Sequence, residues 1–112
     1  MNEKKLYISR LFDFYGALLS EKQQYAVEMY YNDDLSLSEI AESIGITRQG
    51  VRDQLKHAEE FMVACENKLG FASKLSRALE ISEEISSICE KSDEPYAKEI
   101  SQKNSKVIEL LS

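Results

Sequence analysis

Hydrophobic residues recur along this chain at intervals of three and four, which is the spacing of an amphipathic α-helix. Over residues 3–19 the pattern predicts a helix that buries Tyr7, Leu11, Phe14, Tyr15 and Leu18, with Phe12 and Leu19 beside them. Ser20 and Gln23 then have the spacing of a capping box, so a second helix should begin there and run to about residue 31. We expect it to bury some combination of Tyr25, Val27 or Met29, and Tyr30.

The centre of the chain carries two further helix signals with a glycine between them. Ser36 and Glu39 repeat the capping-box spacing before a short apolar stretch, which predicts a helix over about 37–44. Gly45 follows, where a left-handed residue is needed, and Thr47 is placed to cap the next helix. That helix should end at Gly70, because its apolar residues advance by four and three: Val51, Leu55, Ala58, Met62, Cys65 and Leu69. This seam is covered either inside the monomer or by another subunit.

The last third of the chain predicts two more helices. The fifth, over about 72–91, is apolar at Leu75, Ala78 or Leu79, Ile85, Ile88 and Cys89. The sixth should be capped by Asp93, with Pro95 in its first turn. Its stripe is Tyr96 or Ala97, Ile100, Val107, Ile108 and Leu111. This stripe follows a proline break and has little surface left to bury against, so we expect a homodimer.

Composition agrees with an all-α protein, since 112 residues include four glycines, one proline and no tryptophan. We expect a helix-turn-helix domain over 1–70 and a helical extension over 71–112, which packs on that domain or on a partner subunit. Neither a secretory signal nor an apolar membrane span is apparent, so we expect a cytoplasmic protein. Cys65 and Cys89 lack zinc-ligand spacing, and we expect neither metal, disulfide nor cofactor.

Residues 39–55 have the pattern of a helix-turn-helix. This motif needs a small residue where its helices cross, a glycine in the turn, and branched apolar residues that hold the second helix on the first. Seven residues meet these requirements: Ile40, Ala41, Ile44, Gly45, Ile46, Val51 and Leu55. The side chains that should project from the second helix are Thr47, Arg48, Gln49, Arg52, Asp53 and Lys56. These six are our candidate residues for binding a nucleic acid or a partner.

Charge limits what this motif can bind. Arg48, Arg52 and Lys56 lie four residues apart and should form one basic row along the helix. The chain as a whole has a net charge of -6, however, and each third of it carries about -2. Strong non-specific duplex binding rests on roughly 6–10 phosphate contacts, so unaided DNA binding is not expected. The alternative is that these cations are only a solvated face or pair with Asp53, Glu59 and Glu60.

Two runs in this region are characteristic of a known family. The first comprises Tyr30, Tyr31, Asp33, Asp34, Leu35, Ser36, Leu37, Ser38, Glu39, Ile40 and Ala41, and the second Ile46, Thr47, Arg48, Gln49, Val51 and Asp53. Over about residues 5–70 the chain resembles region 4 of sigma factors and, more closely, the YlxM family of small helix-turn-helix-like bacterial proteins. The family often has an aromatic residue where Arg52 stands. The resemblance implies a cytosolic accessory of the signal recognition particle pathway.

Three classes of function follow. The first is a regulatory accessory protein that binds the particle RNA, its GTPase, or both through the candidate residues. The alternative is a dimeric transcription regulator that binds duplex DNA, since a dimer doubles the cations presented. An enzyme is not expected, because His57 is the single histidine and nothing in the sequence supplies a nucleophile with a base.

Overall fold

The computed structural model describes residues 2–112, and within that range the protein is all-α, which confirms the predicted fold class. Its helices are α1 (Glu3–Tyr15), α2 (Glu21–Val27), α3 (Leu37–Ile44), α4 (Arg48–Leu69), α5 (Phe71–Glu90) and α6 (Pro95–Leu111). The chain divides into two compact units, Met1–Ala72 and Ser73–Ser112. The first unit contains the helix-turn-helix region, and the second is built from α5 and α6.

Local capping interactions define most helix ends in the first unit. Both capping boxes are present: the hydroxyls of Ser20 and Ser36 accept from the N–H groups of Gln23 and Glu39, whose side chains accept in return. Gly45 adopts a left-handed conformation with φ of 74°. The predicted boundaries of α3 and the end of α4 at Gly70 are confirmed.

The first helical segment buries only part of the predicted stripe, with Leu11, Tyr15 and Leu19 confirmed. Ile8, Leu11, Tyr15 and Leu19 enter the core, whereas Tyr7, Phe14 and Leu18 are exposed. The helix also ends at Tyr15, and a short 3-10 turn continues to Leu18. Consecutive residues of an α-helix are only 100° apart, and this segment has apolar residues around much of its circumference. The sequence alone therefore did not show which of them pack on α4.

The second helix is shorter than predicted and continues as a π-helical turn, Glu28–Asn32. The buried residues are Ala26, Val27 and Tyr31, while Tyr25 is exposed. Met29 and Tyr30 are partly buried against the core. The wider π turn changes the direction of side chains after Glu28, so the regular helical spacing assumed from the sequence does not hold there.

The regular apolar seam of α4 is covered within the first unit over most of its length. Val51, Leu55, Ala58 and Met62 are buried in the core, and Cys65 packs at its edge. Leu69, at the end of the seam, is exposed. Of the two alternatives left by the sequence, coverage inside the monomer therefore accounts for the first four positions.

One carboxylate joins distant parts of the first unit. Glu66 accepts hydrogen bonds from the Tyr15 hydroxyl, at 2.6 Å, and from the N–H of Ala72, at 3.0 Å. The pKa of Tyr15 is raised by burial and by the hydrogen bond to Glu66. This carboxylate thus joins α1 and α4 to the end of the first unit at Ala72.

In the second unit, a buried asparagine joins α5 and α6. The Nδ2 atom of Asn104 donates to the carbonyl oxygen of Ser82, at 2.6 Å, and to the hydroxyl of Ser86, at 2.9 Å. Ser82, Ala97 and Asn104 are buried. The interior of this unit is therefore partly polar, unlike the apolar stripe predicted.

Several predicted apolar positions of the second unit are exposed instead. Ile88 is 68% exposed, and Ile100 and Val107 are 46% and 43% exposed. The predicted cap of α6 is also wrong, since Glu94 occupies the cap position without a side-chain hydrogen bond, and Pro95 begins the helix as expected.

Candidate nucleic-acid interface

The segment α3–turn–α4 has the construction of a helix-turn-helix. Ile40, Ala41, Val51 and Leu55 are buried between the helices, and Ile44 and Ile46 pack at the edge of the core. The N–H groups of Gly45 and Ile46 both donate to the carbonyl oxygen of Ala41, which closes the turn. Thr47 then caps α4 by accepting from the N–H of Gly50, at 2.9 Å. Local hydrogen bonds thus place the first turn of α4 at the surface.

All six candidate residues are exposed on α4 or at its cap: Thr47, Arg48, Gln49, Arg52, Asp53 and Lys56. Arg48, Arg52 and Lys56, which we call the basic row, extend about 12 Å along the helix at 1.5 Å per residue. The row flanks the buried seam of α4, about 90° away around the helix axis. The amphipathic spacing that buries the seam therefore also presents the basic row to solvent.

The basic row keeps its charge available. Within residues 2–112, none of its three side chains forms an ion pair with a carboxylate. Asp53 instead accepts a hydrogen bond from Nε2 of Gln49, at 3.0 Å. The pairing of these cations with Asp53, Glu59 and Glu60 that the sequence left open is thus not formed. One N–H group of the Gln49 side-chain amide is therefore already used in a hydrogen bond within α4.

A groove next to the basic row contains residues that the sequence analysis did not select. This groove, about 720 Å³ in volume, lies between the start of α1, the π turn and α4, and we call it the α1–α4 groove. Arg52 and Lys56 line it from α4, Lys4 and Lys5 from α1, and Tyr30 from the π turn. In the sequence, the only signal for this groove was the pair of lysines at the start of α1. These lysines come beside α4 only in the folded protein.

The aromatic residues of the groove are held by specific contacts. Nζ of Lys5 lies 4.4 Å from the centroid of the Tyr30 ring, and the rings of Tyr30 and Tyr31 meet edge to face at 5.0 Å. The Tyr31 hydroxyl donates to Oε1 of Glu59, and Lys4 forms a 3.8 Å ion pair with Oε2 of the same carboxylate. Burial, together with this hydrogen bond, raises the pKa of Tyr31.

Other kinds of site are not apparent among residues 2–112. No group of three histidine, cysteine, aspartate or glutamate side chains there is arranged to hold a metal ion. Cys65 and Cys89 are free thiols, and each is partly exposed rather than fully buried. In the same range, no helix is both long and apolar enough to span a membrane.

The buried helix crossing, the glycine turn and the exposed first turn of α4 define a helix-turn-helix protein. Residues 2–107 match the model of the UPF0122 family, described as "Putative helix-turn-helix protein, YlxM / p13 like". The chain belongs to this family.

Relatives of known sequence agree with the assignment. The chain is 39% identical to the UPF0122 protein Teth514_1714 of Thermoanaerobacter sp. over 116 aligned positions, which cover 100% of this chain and 99% of that protein. It is 53% identical to a UPF0122 protein of Desulforamulus reducens over 70 residues, which span 62% of this chain and 60% of that relative. It is also 46% identical to UPF0122 protein TTE1463 of Caldanaerobacter subterraneus over 85 residues, 76% of this chain and 73% of the relative.

Proposed function

We propose that this protein is a cytoplasmic regulatory accessory of the signal recognition particle pathway, and that the basic row binds the particle RNA, its GTPase, or both. The observation that carries the proposal is the exposed row of Arg48, Arg52 and Lys56, which forms no ion pair among residues 2–112. The pathway is suggested by the resemblance to the YlxM family. A binding role without catalysis is part of the same proposal.

The number of cations favours one limited contact. Three cations on one face can neutralise about three phosphates, whereas tight non-specific duplex binding uses roughly 6–10. The remaining surface is acidic, since the chain carries 20 acidic against 14 basic side chains. Such a protein gains most from a structured RNA, or from an acidic protein surface, that meets the row without approaching the rest of the chain.

The test is fluorescence anisotropy at about 150 mM salt, with the particle RNA, the particle GTPase and random duplex DNA titrated in parallel. Arg48→Glu combined with Arg52→Glu should weaken binding to the RNA or the GTPase at least about tenfold. The matched control is Lys22→Glu with Lys68→Glu, which reverses two exposed charges of the same unit outside the basic row. Equal binding by the two double variants would refute the proposal.

A dimeric DNA-binding regulator is the second candidate function. The observation that favours it is the exposed first turn of α4, which is where helix-turn-helix proteins contact base edges. The two candidates differ in salt dependence. Three phosphate contacts predict a slope of about -2 to -3 for log K against log salt, whereas six contacts from a dimer on duplex DNA predict about -5. Absence of a footprint in the protein's own operon would count against the DNA-binding candidate.

We also propose that the protein is a homodimer that uses the exposed side of the second unit. Ile85, Ile100 and Val107 line an open groove of about 370 Å³ together with Glu99 and Lys103. In a two-fold interface the same patch meets itself, so Glu99 of one subunit can face Lys103 of the other. The apolar and charged groups of this groove can therefore satisfy each other across a second copy of the chain.

A further inference from the structure

The α1–α4 groove combines an aromatic ring with cations from two helices. We propose that it holds one unpaired nucleotide of the bound RNA, with the base against Tyr30 and the phosphates at Lys5, Arg52 and Lys56. This inference rests on the proposed RNA binding by the basic row, and it adds a preference for a bulged or single-stranded nucleotide beside a duplex. Arg52 and Lys56 belong to both surfaces, so the RNA can pass from one to the other.

The Tyr30 ring is held in place by its neighbours, whereas the Lys5 ammonium group over it can move away. Tyr30 is partly buried and meets Tyr31 edge to face, and Tyr31 is itself buried and bonded to Glu59. Lys5 reaches the face of the Tyr30 ring through a flexible side chain, with Nζ 4.4 Å from the centroid. A nucleobase can take the place of this ammonium group, because bases stack on aromatic rings irrespective of sequence. Lys5 is then close enough to contact the adjoining phosphate.

The charge balance of the groove favours a polyanion. Glu59 already accepts from Tyr31 and pairs with Lys4, so its charge is compensated within the protein. Lys5, Arg52 and Lys56 then outnumber Glu60, the other carboxylate of the lining. A volume of about 720 Å³ lies within the roughly 300–1,000 Å³ range of small-ligand sites.

The combination of groups favours RNA over an acidic protein segment. An acidic helix of a partner protein would need only a row of cations, such as the basic row on α4, and no aromatic ring. Proteins that recognise unpaired RNA combine cations for the backbone with an aromatic platform for the base. The groove has both, and one of its cations, Lys5, already lies over the face of the Tyr30 ring.

The experiment uses the full chain and two fluorescein-labelled RNA hairpins at about 150 mM salt. One hairpin carries a single bulged adenosine, and the other is the same duplex fully paired. The wild-type protein should bind the bulged hairpin about tenfold more tightly, which is the scale of one base–aromatic stack. Tyr30→Leu and Lys5→Gln should each remove most of this preference while leaving affinity for the paired hairpin nearly unchanged.

The controls are Tyr25→Leu and Lys22→Gln, which change an exposed tyrosine and an exposed lysine of α2 outside the groove. Both should keep the preference for the bulge. Lys5→Gln keeps most of the side-chain length and leaves the Tyr30 ring in place, so it remains informative if Tyr30→Leu fails to fold. Equal affinity of wild type for the two hairpins would overturn the inference but leave RNA binding by the basic row intact. Binding of neither hairpin would overturn this inference too, and the separate GTPase titration would then decide the proposed function.

A labelled polyglutamate peptide tests the competing occupant. We expect it to bind weakly and without sensitivity to Tyr30→Leu. Displacement of the bulged hairpin by this peptide at comparable concentration would overturn the assignment to RNA.

Discussion

Single residues determine the geometry of the helix-turn-helix. Gly45 has φ of 74°, a conformation that side chains with a Cβ rarely adopt. Nothing lies within 4 Å of the position that a Cβ would occupy there. The requirement for glycine is therefore set by the backbone and not by crowding.

Replacing Gly45 should destabilise the first unit through this backbone effect alone. We expect Gly45→Ala to lower the free energy of unfolding by about 1–2 kcal/mol, measured by urea denaturation followed by circular dichroism. Gly45→Asn is the matched control, since asparagine tolerates the left-handed region, and it should recover part of the loss. A stability equal to wild type for Gly45→Ala would show that the turn is not strained by a side chain.

Two buried tyrosines make the fold sensitive to alkaline pH. The pKa values of Tyr15 and Tyr31 are raised, in each case first by burial and then by a hydrogen bond to a glutamate. A raised pKa in the folded state means that the unfolded chain loses these protons first as the pH rises. The stabilisation is thus fully present below about pH 10, the ordinary tyrosine pKa, and is lost above it.

Urea denaturation at a series of pH values should show this loss. Above about pH 10, the free energy of unfolding should fall by up to about 1.4 kcal/mol per pH unit for Tyr31. Tyr31→Phe should flatten the slope, at a cost of roughly 1.5–3 kcal/mol near neutral pH from the lost hydrogen bond to a carboxylate. Tyr25→Phe, at an exposed tyrosine, should leave the profile unchanged.

At the scale of elements, α3 and α4 follow sequence signals closely, whereas α5 and α6 depend on a polar contact. Asn104 is buried and donates to Ser82 and Ser86 across the pair of helices. A buried amide of this kind favours one alignment of two helices, because a shifted alignment leaves it without partners. The sequence analysis predicted a wholly apolar stripe on α6 and did not predict the buried hydrogen bonds of Asn104.

Removing the amide should loosen the second unit. We expect Asn104→Ala to reduce protection of α5 and α6 amides by about 1–2 kcal/mol in native-state hydrogen exchange, because two buried hydrogen bonds are lost. Gln102→Ala, at an exposed position of the same helix, is the control and should change protection little. Unchanged exchange in Asn104→Ala would mean that apolar contacts alone align these helices.

At the scale of the whole molecule, the exposed side chains of α6 carry the proposal of a dimer. Multi-angle light scattering at micromolar concentration should give twice the monomer mass of 12.8 kDa. Val107→Glu should shift the protein to the monomer, because it places a charge in the proposed apolar contact. Gln102→Glu adds a charge on the opposite side of α6 and should leave the dimer intact. A monomeric wild type would refute the proposal.

The local parts of this protein were predictable from its sequence. Each capping box and the glycine turn at Gly45 involve residues within four positions of one another. The length of α4 likewise follows from apolar residues spaced by three and four and from Gly70 at its end, so the sequence signals are local. The exposure of Arg48 and Arg52 follows from the same period that buries Val51 and Leu55. These features needed no knowledge of the neighbouring helices.

The tertiary structure decided which residues meet. Tyr31 bonds to Glu59, 28 positions away, and Tyr15 to Glu66, 51 positions away. Lys5 reaches Tyr30 only because α1 and the π turn come together in the fold. The spacing of hydrophobic residues predicts that a helix forms and roughly which side of it is apolar. Which of those apolar residues become buried depends on the shape of the neighbouring helices. For the same reason, the basic row could be predicted from the sequence, and the α1–α4 groove could not.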